Sequence, residues 1–166
     1  MEGVADAVKA VRLAVFDFDG VFTDNAVWVD GEGGESVRCC RADGFGLRRL
    51  EEVGVEALIV STETAPVVTA RARKLGVECV QGVEEKLPVL REQAAARGVS
   101  LEATAYLGND LNDAACLEAV GLAVVPADAW PEARALAQWV LTRNGGEGCV
   151  REFCDAVWLA KGGVAA

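Results

Sequence analysis

Two aspartates, Asp17 and Asp19, are separated by one residue and follow four apolar residues near the N-terminus. The apolar run predicts a buried strand, and Gly20 comes directly after the second acid. Burying a carboxylate costs free energy, so acids at the end of a core strand need a compensating interaction. In open α/β sheets, ligands bind at this end of the parallel strands. The spacing, completed by Thr23 and Asp24, therefore indicates a bound cation or an activated carboxylate nucleophile rather than a turn.

Three later segments place polar side chains after further apolar runs. Ser61 follows one run, and its hydroxyl can donate a hydrogen bond to a phosphate oxygen. Lys86 lies near the start of a predicted helix, where a cation is unfavourable for the helix dipole. The last segment contributes Asn109, Asp110 and Asp113. Each segment alone has a structural explanation, because serine is common in turns and most helix lysines are exposed. Their recurrence at successive strand ends predicts one common site.

The composition excludes several classes of protein. A chain of 166 residues fits a single domain, 1–166, and 52% hydrophobic residues exclude a disordered chain. The net charge of −10 argues against nucleic acid and against anionic membrane surfaces as partners. Six cysteines without a CxxC pair, and no histidine, argue against a zinc finger and predict reduced thiols. Neither a signal peptide nor an apolar run of about 20 residues is evident, which predicts a cytoplasmic protein.

Strand-like and helix-like runs alternate along the chain, which predicts an α/β fold with a parallel sheet and crossover helices. The predicted strands are 13–17, 55–60, 77–80, 103–107, 121–125 and 138–141. The predicted helices are 43–53, 65–75, 84–97 and 110–119. Residues 25–40 break the alternation and predict a β-hairpin that overhangs the ligand-binding end of the sheet. The remaining connections are too short for an inserted cap domain.

The order of these segments resembles the motifs of the haloacid dehalogenase superfamily of phosphotransferases. The resemblance implies a three-layer, Rossmann-like fold with helices on both faces of the sheet, a protruding hairpin and no cap domain. It also implies that Asp17 is the nucleophile, that Asp19 is the general acid and base, and that Ser61 and Lys86 hold the phosphoryl oxygens. The implied cofactor is Mg²⁺, and the implied metal-binding residues are Asp17, Asp19 through its backbone carbonyl, Asn109, Asp110 and Asp113.

A closer resemblance is to the cap-less subfamily around 3-deoxy-octulosonate-8-phosphate phosphatase. Its shared marks are the hairpin after the first motif, Asp43-Gly-Phe-Gly46, Gly82 before Lys86, Val125-Pro-Ala-Asp128-Ala, and Gly145-Gly-Glu-Gly-Cys-Val-Arg-Glu-Phe153. In this subfamily the hairpins pack the subunits into tetramers, and a neighbouring subunit covers each active site. The resemblance therefore implies a homotetramer, and it places Arg151 near the mouth of the site as a substrate-binding residue.

Two departures from that subfamily bear on function, the first on the substrate and the second on the metal site. Glu63, Arg71 and Lys74 are similar to the branch that hydrolyses 9-phosphates of nine-carbon keto-deoxy sugars. Arg71 and Lys74 are three residues apart on a helix and could bind a sugar carboxylate, with Glu63 binding hydroxyls. A solvated basic helix face is the competing interpretation.

Asn109 replaces a metal-binding aspartate and offers only a neutral carbonyl, as in the phosphatase-like C-terminal domain of some sialic-acid cytidylyltransferases.

The sequence therefore predicts a Mg²⁺-dependent phosphatase that acts on a phosphomonoester of an acidic keto-deoxy sugar through an aspartyl-phosphate. A nononate-9-phosphate is favoured over an octulosonate-8-phosphate as the small-molecule substrate. The alternative is a non-catalytic oligomerisation module related to the cytidylyltransferase domain. The combination of Asp17, Asp19, Ser61, Lys86 and Asp113 favours the enzyme, whereas Asn109 favours the module. The sequence leaves open whether a separate cytidylyltransferase is a partner.

Overall fold

The computed structural model describes residues 2–164 and is built around a parallel sheet. The strands are Leu13–Phe16 (β1), Thr23–Val29 (β2), Glu35–Cys39 (β3), Glu56–Val60 (β4), Glu78–Val80 (β5), Thr104–Leu107 (β6), Leu122–Val125 (β7) and Trp139–Val140 (β8). The helices are Glu2–Ala10 (α1), Asp43–Glu52 (α2), Pro66–Leu75 (α3), Lys86–Ala96 (α4), Ala114–Ala119 (α5), Pro131–Leu136 (α6) and Cys149–Ala160 (α7). Two 3₁₀ turns lie at Leu101–Ala103 and Leu111–Asp113.

The six-stranded sheet has the order β5-β4-β1-β6-β7-β8, and every pairing is parallel. Alternate residues of β1 face opposite layers, with Ala14 and Phe16 in one core and Leu13 and Val15 in the other. Helices α1, α2, α3 and α7 contribute to the first core, and α4, α5 and α6 to the second. Because helices cover both faces, the central strands are apolar on both sides. The predicted three-layer α/β fold is confirmed.

The predicted strands and helices are present, with ends that differ by at most two residues, except that α5 begins four residues after the predicted start. The first two crossover helices are nearly as predicted, and Gly76 ends α3 in the left-handed conformation with φ 72°. The helix predicted from residue 110 begins as a 3₁₀ turn and continues as α5. Helices α1, α6 and α7 were not predicted. Two of them, α1 and α7, pack against each other on one face of the sheet, so their formation depends on tertiary contacts that periodicity alone does not show.

The hairpin predicted at 25–40 forms a separate two-stranded antiparallel sheet from β2 and β3. An irregularity interrupts the pairing between Thr23 and Val27, and Asn25 adopts a positive φ of 60° there. The last three residues of β2 are largely exposed, at 49% for Val27, 59% for Trp28 and 61% for Val29. Large apolar side chains at this exposure in an isolated hairpin are costly in water, which makes this hairpin surface a candidate contact surface.

Two compositional expectations can be compared with the structure. All six cysteines are unpaired, and Cys116, Cys149 and Cys154 are buried. Burial raises the pKa of the Cys149 thiol, so it stays protonated and packs as an apolar side chain. No helix within the described part of the chain is long and apolar enough to cross a membrane.

Helices α2 and α7 are joined by a buried carboxylate, that of Asp43. Its Oδ1 atom accepts a hydrogen bond from the backbone N–H of Arg151 at 3.2 Å, near the start of α7. Its Oδ2 atom is buried without a hydrogen-bond partner. Burial raises the Asp43 pKa to about 6, although the Arg151 N–H and the nearby Arg71 charge oppose the shift. The ionised form of Asp43 therefore destabilises the native state.

We predict that Asp43→Asn gains stability over the wild type as the pH rises from about 4 to about 7. The native carboxyl has a raised pKa, so the wild type loses the stabilising proton over this range, and asparagine does not titrate. The relative gain in the free energy of unfolding should reach up to about 3 kcal/mol, measured by urea denaturation. Asp30→Asn is the control, because backbone N–H groups lower the Asp30 pKa and its variant should show no such gain. A pH-independent difference for Asp43→Asn would contradict the prediction.

Candidate active site

The carboxyl ends of three neighbouring strands supply the candidate active site. Asp17 follows β1, Ser61 follows β4, and the segment from Gly108 to Asp113 follows β6. Backbone bonds fix these ends, since the Asp17 N–H donates to the Leu107 carbonyl at 2.9 Å and the Ser61 N–H donates to Val80 at 3.0 Å. The parallel order therefore gathers residues as distant in the sequence as Asp17 and Asp113, which are 96 residues apart.

Lys86 connects two of these segments through buried ion pairs. Its Nζ atom lies 2.7 Å from Asp17 Oδ1 and 2.7 Å from Asp113 Oδ1, and all three side chains are at most 5% exposed. Burial disfavours the ammonium, but the charges of Asp17 and Asp113 outweigh this effect, so the Lys86 pKa is raised. Lys86 is therefore a protonated lysine inside the site, and the interpretation of an exposed helix lysine is excluded.

Asp17 carries one engaged and one unengaged carboxylate oxygen. Its Oδ1 atom accepts from the Phe18 N–H at 2.7 Å as well as from Lys86. Its Oδ2 atom accepts no hydrogen bond from residues 2–164. Burial, together with the neighbouring Asp113 charge, raises the Asp17 pKa to about 7, although Lys86 opposes the shift. Two carboxylates share one ammonium here, so a further cation would stabilise the ionised form of Asp17.

Both carboxylate oxygens of Asp113 accept hydrogen bonds. Its Oδ1 atom accepts from Lys86 and from the Tyr106 hydroxyl, each at 2.7 Å. Its Oδ2 atom accepts from the backbone N–H groups of Asn109 at 2.8 Å and Asp110 at 3.3 Å. The carboxylate thus orients the lysine and the loop, and its predicted role in metal binding, directly or through water, stays a prediction. Sequence analysis did not single out Tyr106, although a single tyrosine within an apolar strand needs a polar partner.

Asp19 stands at the edge of the same site and is half-buried. Its Oδ1 atom accepts a hydrogen bond from the Thr23 hydroxyl at 3.3 Å, and the same hydroxyl accepts from the Gly20 N–H at 3.2 Å. Burial, and next the charge of Glu63, raises the Asp19 pKa. A carboxyl with a raised pKa can carry and donate a proton, as a general acid must.

Asn109 packs directly against Gly20. A Cβ atom at Gly20, whose φ is 76°, would lie 2.0 Å from Asn109 Nδ2, so a side chain cannot fit there. Asn109 also lines a cleft of about 200 Å³. The other residues that line this cleft are Asp17, Asp19, Asn25, Thr62, Asp110 and Asn112. Thr62, Asn25 and Asn112 were not among the predicted site residues, because their types and positions are ordinary for loops.

The donors in this cleft suit a hard divalent cation. They are carboxylate, amide and hydroxyl oxygens, which Mg²⁺ prefers, and Mg²⁺ needs only one or two carboxylates beside water and phosphate oxygens. Within residues 2–164, no three Asp, Glu, His or Cys side chains are arranged to hold a metal by themselves. A metal site here therefore requires neutral oxygens such as the Asn109 amide in addition to the carboxylates.

Ser61 is buried at the end of β4 and does not line this cleft. Its Oγ atom accepts from the Glu63 N–H at 3.1 Å, which leaves the hydroxyl proton available to donate. The Glu63 side chain folds over the segment before α3, where its Oε1 atom accepts from the N–H groups of Thr64 and Ala65. It also lines a groove of about 250 Å³ that continues from Asp19 along the hairpin.

The three predicted cationic substrate ligands do not reach this cleft or the groove beside it. Arg71 donates to the Cys40 carbonyl at 2.7 Å, after the hairpin. Lys74 is exposed on α3, and Arg151 donates to Asp155 at 2.6 Å. Within one chain, the predicted carboxylate-binding pair of Arg71 and Lys74 is therefore not assembled around Asp17, and neither is Arg151, the other predicted substrate-binding cation.

Known proteins share this fold over nearly the whole chain. The 3-deoxy-D-manno-octulosonate 8-phosphate phosphatase KdsC of Yersinia pestis is 35% identical over 161 residues, 96% of this chain and 86% of that protein. A putative HAD family hydrolase from Streptomyces avermitilis superposes with a TM-score of 0.87 at 39% identity, over 90% of this chain and 86% of that one.

A third similar protein is the 3-deoxy-D-manno-octulosonate 8-phosphate phosphatase of Moraxella catarrhalis, solved with magnesium, phosphate and KDO. It superposes with a TM-score of 0.92 at 29% identity, over 96% of this chain and 92% of that one. No protein-family model matches the chain. The strand-end acids, the buried lysine and these similarities define a protein of the haloacid dehalogenase superfamily. Within that superfamily, the chain belongs to the family that includes KdsC of Yersinia pestis, and the resemblance noted in the sequence is confirmed.

Proposed function

We propose that this protein is a Mg²⁺-dependent phosphatase that hydrolyses a phosphomonoester of an acidic keto-deoxy sugar. The observation that carries the proposal is the buried Lys86, held between Asp17 and Asp113 beside an unengaged Asp17 oxygen. Replacing such a buried ion pair with apolar residues often leaves a fold equally stable. A module that served only oligomerisation would have no need of this arrangement, so it favours catalysis over the alternative.

In the proposed reaction, Asp17 Oδ2 attacks the phosphorus atom and the bond to the sugar oxygen breaks. The carboxyl of Asp19 gives its proton to that oxygen, so the sugar leaves as a neutral alcohol. Asp17 then carries the phosphoryl group as an aspartyl-phosphate. The Asp19 carboxylate next takes a proton from water, which attacks the same phosphorus and releases phosphate. Lys86 and the Ser61 hydroxyl hold the phosphoryl oxygens during both steps.

The oxygen-rich cleft fits Mg²⁺, the metal present in the Moraxella catarrhalis relative. We assign Asp17, the backbone carbonyl of Asp19, Asn109 and Asp110 as its ligands. Bound Mg²⁺ supplies positive charge that lets a carboxylate approach an anionic phosphate. Asp113 acts indirectly, because it holds the backbone of Asn109 and Asp110 and the head of Lys86.

For the substrate, we favour the 9-phosphate of a nine-carbon keto-deoxy sugar acid over octulosonate 8-phosphate. The support is the group Glu63, Arg71 and Lys74, which departs from the octulosonate-type pattern. Glu63 lies along the groove that continues from Asp19, where its carboxylate can accept hydrogen bonds from sugar hydroxyls. Arg71 and Lys74 are the cations that would bind the sugar carboxylate.

We further propose a homotetramer in which a second copy completes each site. The exposed Val27, Trp28 and Val29 give the hairpin an apolar surface for self-association. Among the described residues, five acids and no cation line the cleft and the adjoining groove. A neighbouring copy would therefore supply the positive charge, from Arg71, Lys74 or Arg151, that a sugar acid requires. We place the enzyme in the cytoplasm, where its six unpaired cysteines would stay reduced.

The proposed nucleophile gives the first test. Asp17→Asn should abolish phosphate release from sugar phosphates, by roughly 10⁴-fold or more, because the covalent step is lost. Acid quenching with a ³²P-labelled substrate should trap a base-labile phosphoryl group on the wild type and none on the variant. Asp6→Asn, at an exposed position on α1, is the matched control and should behave as the wild type. Substantial turnover by a folded Asp17→Asn protein would contradict the mechanism.

The metal assignment predicts the effect of Asn109→Asp. A carboxylate binds Mg²⁺ more strongly than an amide, so the variant should reach its half-maximal rate at a several-fold lower Mg²⁺ concentration. Titration calorimetry with Mn²⁺ gives a second readout that needs no turnover. Asn112→Asp is the control, since Asn112 lines the same cleft but is not an assigned ligand. An unchanged or weaker affinity in Asn109→Asp, or an equal gain in both variants, would remove Asn109 from the ligand set.

The specificity assignment predicts a selective effect of Lys74→Ala. Loss of a carboxylate partner should lower kcat/KM for an acidic sugar phosphate by at least about 30-fold. Hydrolysis of p-nitrophenyl phosphate, which has no carboxylate, should change little. Arg73→Ala is the control, because Arg73 is the exposed neighbour on α3. Equal losses on both substrates would assign Lys74 to catalysis or stability instead.

The assembly can be tested with two exposed tryptophans. Trp28→Glu in the hairpin should convert a tetramer to smaller species and lower activity, because a charge replaces apolar contact surface. Trp130→Glu is matched in type and exposure, 55% against 59%, but lies outside the hairpin and should leave the tetramer intact. Analytical ultracentrifugation at micromolar concentration gives the mass. A fully active wild-type monomer would overturn the shared site.

A further inference from the structure

The loop that carries Asp19 is supported from behind by two glycines, Gly145 and Gly146. Both are buried, and the Gly146 N–H donates to the Val21 carbonyl at 3.0 Å. A Cβ atom at Gly145 would lie 2.1 Å from the Gly20 carbonyl oxygen. A Cβ atom at Gly146, whose φ is 65°, would lie 2.5 Å from the Asp24 nitrogen. The two backbones are thus in direct contact. A side chain at either glycine would displace the Asp19 loop.

The contacted atoms are those that orient the Asp19 carboxyl. Gly20 follows Asp19 directly in the chain, and Thr23 donates its hydroxyl to Asp19 Oδ1. The Thr23 carbonyl would lie 2.9 Å from a Cβ atom on Gly145, so the glycine also touches this residue. Cys149 adds a third contact, because its Sγ atom lies 3.2 Å from the Val21 carbonyl. A displacement of the diglycine would therefore move both the backbone next to Asp19 and its hydroxyl partner.

One side chain holds the diglycine in place. Asp128, in the link between β7 and α6, accepts a hydrogen bond from the Gly145 N–H at 2.9 Å. The neighbouring Ala127 N–H donates to the Arg143 carbonyl at 3.0 Å. Without Asp128, the buried Gly145 N–H would lose its acceptor, which favours local rearrangement of the segment.

We infer that Asp128 is a positioning residue for general acid catalysis, acting through Gly145 and Thr23 on the Asp19 carboxyl. This inference rests on the proposed function of Asp19. Asp128 touches neither the cleft nor the Asp17–Lys86 group, so its removal acts first on the loop that orients the Asp19 carboxyl and not directly on Asp17 or Lys86. An alkyl leaving group such as a sugar needs the proton of Asp19, whereas p-nitrophenolate leaves without it.

The test is a comparison of kcat/KM on two substrates, an acidic sugar phosphate and p-nitrophenyl phosphate. Asp128→Ala should lower kcat/KM for the sugar phosphate by at least about tenfold and for the aryl phosphate by less than about threefold. Asp128→Asn keeps an acceptor oxygen and should restore most of the sugar phosphate activity. Glu132→Ala, an exposed acid four residues away on α6, should match the wild type on both substrates.

Gly145→Ala provides a second variant that leaves Asp128 unchanged. Its added Cβ would press on Gly20, and it should show the same selective loss on the sugar phosphate. The inference would be overturned if the folded variants lost equal activity on both substrates, or if neither variant lost activity on the sugar phosphate. Thermal unfolding separates a general loss of structure from the selective effect. A wild type that hydrolyses neither substrate would instead refute the proposed function, so the two failures are distinguishable.

Discussion

The buried ion pairs of Lys86 with Asp17 and Asp113 are the interactions on which the rest of the site depends. Removing three charged groups from water costs free energy, and only close, well-oriented pairing compensates for it. Both distances are 2.7 Å, and Tyr106 with two backbone N–H groups satisfies the remaining acceptors of Asp113. The sheet makes this possible because β1 and β6 are neighbours, so their ends present Asp17 and Asp113 to the first residue of α4.

The same cluster is connected to the loops around it by close backbone contacts. Asp113 fixes the Asn109 and Asp110 backbone, Asn109 packs on Gly20, and Gly145 packs on Gly20 from another side. Each contact is closer than a Cβ atom would allow, so glycine is required at these two positions. The carboxyl ends of three strands and the segment before α7 thereby form one continuous support for the two acids of the first motif.

The charge distribution of a single chain also bears on the proposed substrate. The cleft and the groove beside it carry Asp17, Asp19, Glu35 and Glu63, while Lys86 is buried behind Asp17. An acidic sugar phosphate would meet repulsion here unless a metal ion and cations from elsewhere balance it. The apolar hairpin surface provides a physical reason for a second copy to lie close by. In the proposed enzyme, a bound cation and a neighbouring copy would both compensate the excess negative charge of the cleft and groove.

Much of the fold and part of the site could be predicted from the sequence. Apolar runs that end in Asp17 or in Asn109 and Asp110 indicated a parallel sheet with its chemistry at the strand ends. Helices α1 and α7 were missed, since their formation depends on packing against each other and against the sheet. The contact of Arg71 with the Cys40 carbonyl could not be predicted, because spacing on a helix shows that two residues share a face but not which neighbour that face meets.

By itself, the sequence determined the residue types available for chemistry and their order along the strands, since local hydrophobic patterns fix the strands and the acids that follow them. Only the tertiary structure decided which groups each acid contacts and therefore which role we propose for it. Asp17 keeps an unengaged oxygen, whereas Asp113 has both of its oxygens committed to donors from α4, β6 and its own loop. The contact of Tyr106 with Asp113, and of the diglycine with the Asp19 loop, likewise came only from the tertiary structure. Such roles depend on contacts between segments distant in sequence, and distance and burial, rather than residue type, separate a reacting carboxylate from one that holds others in place.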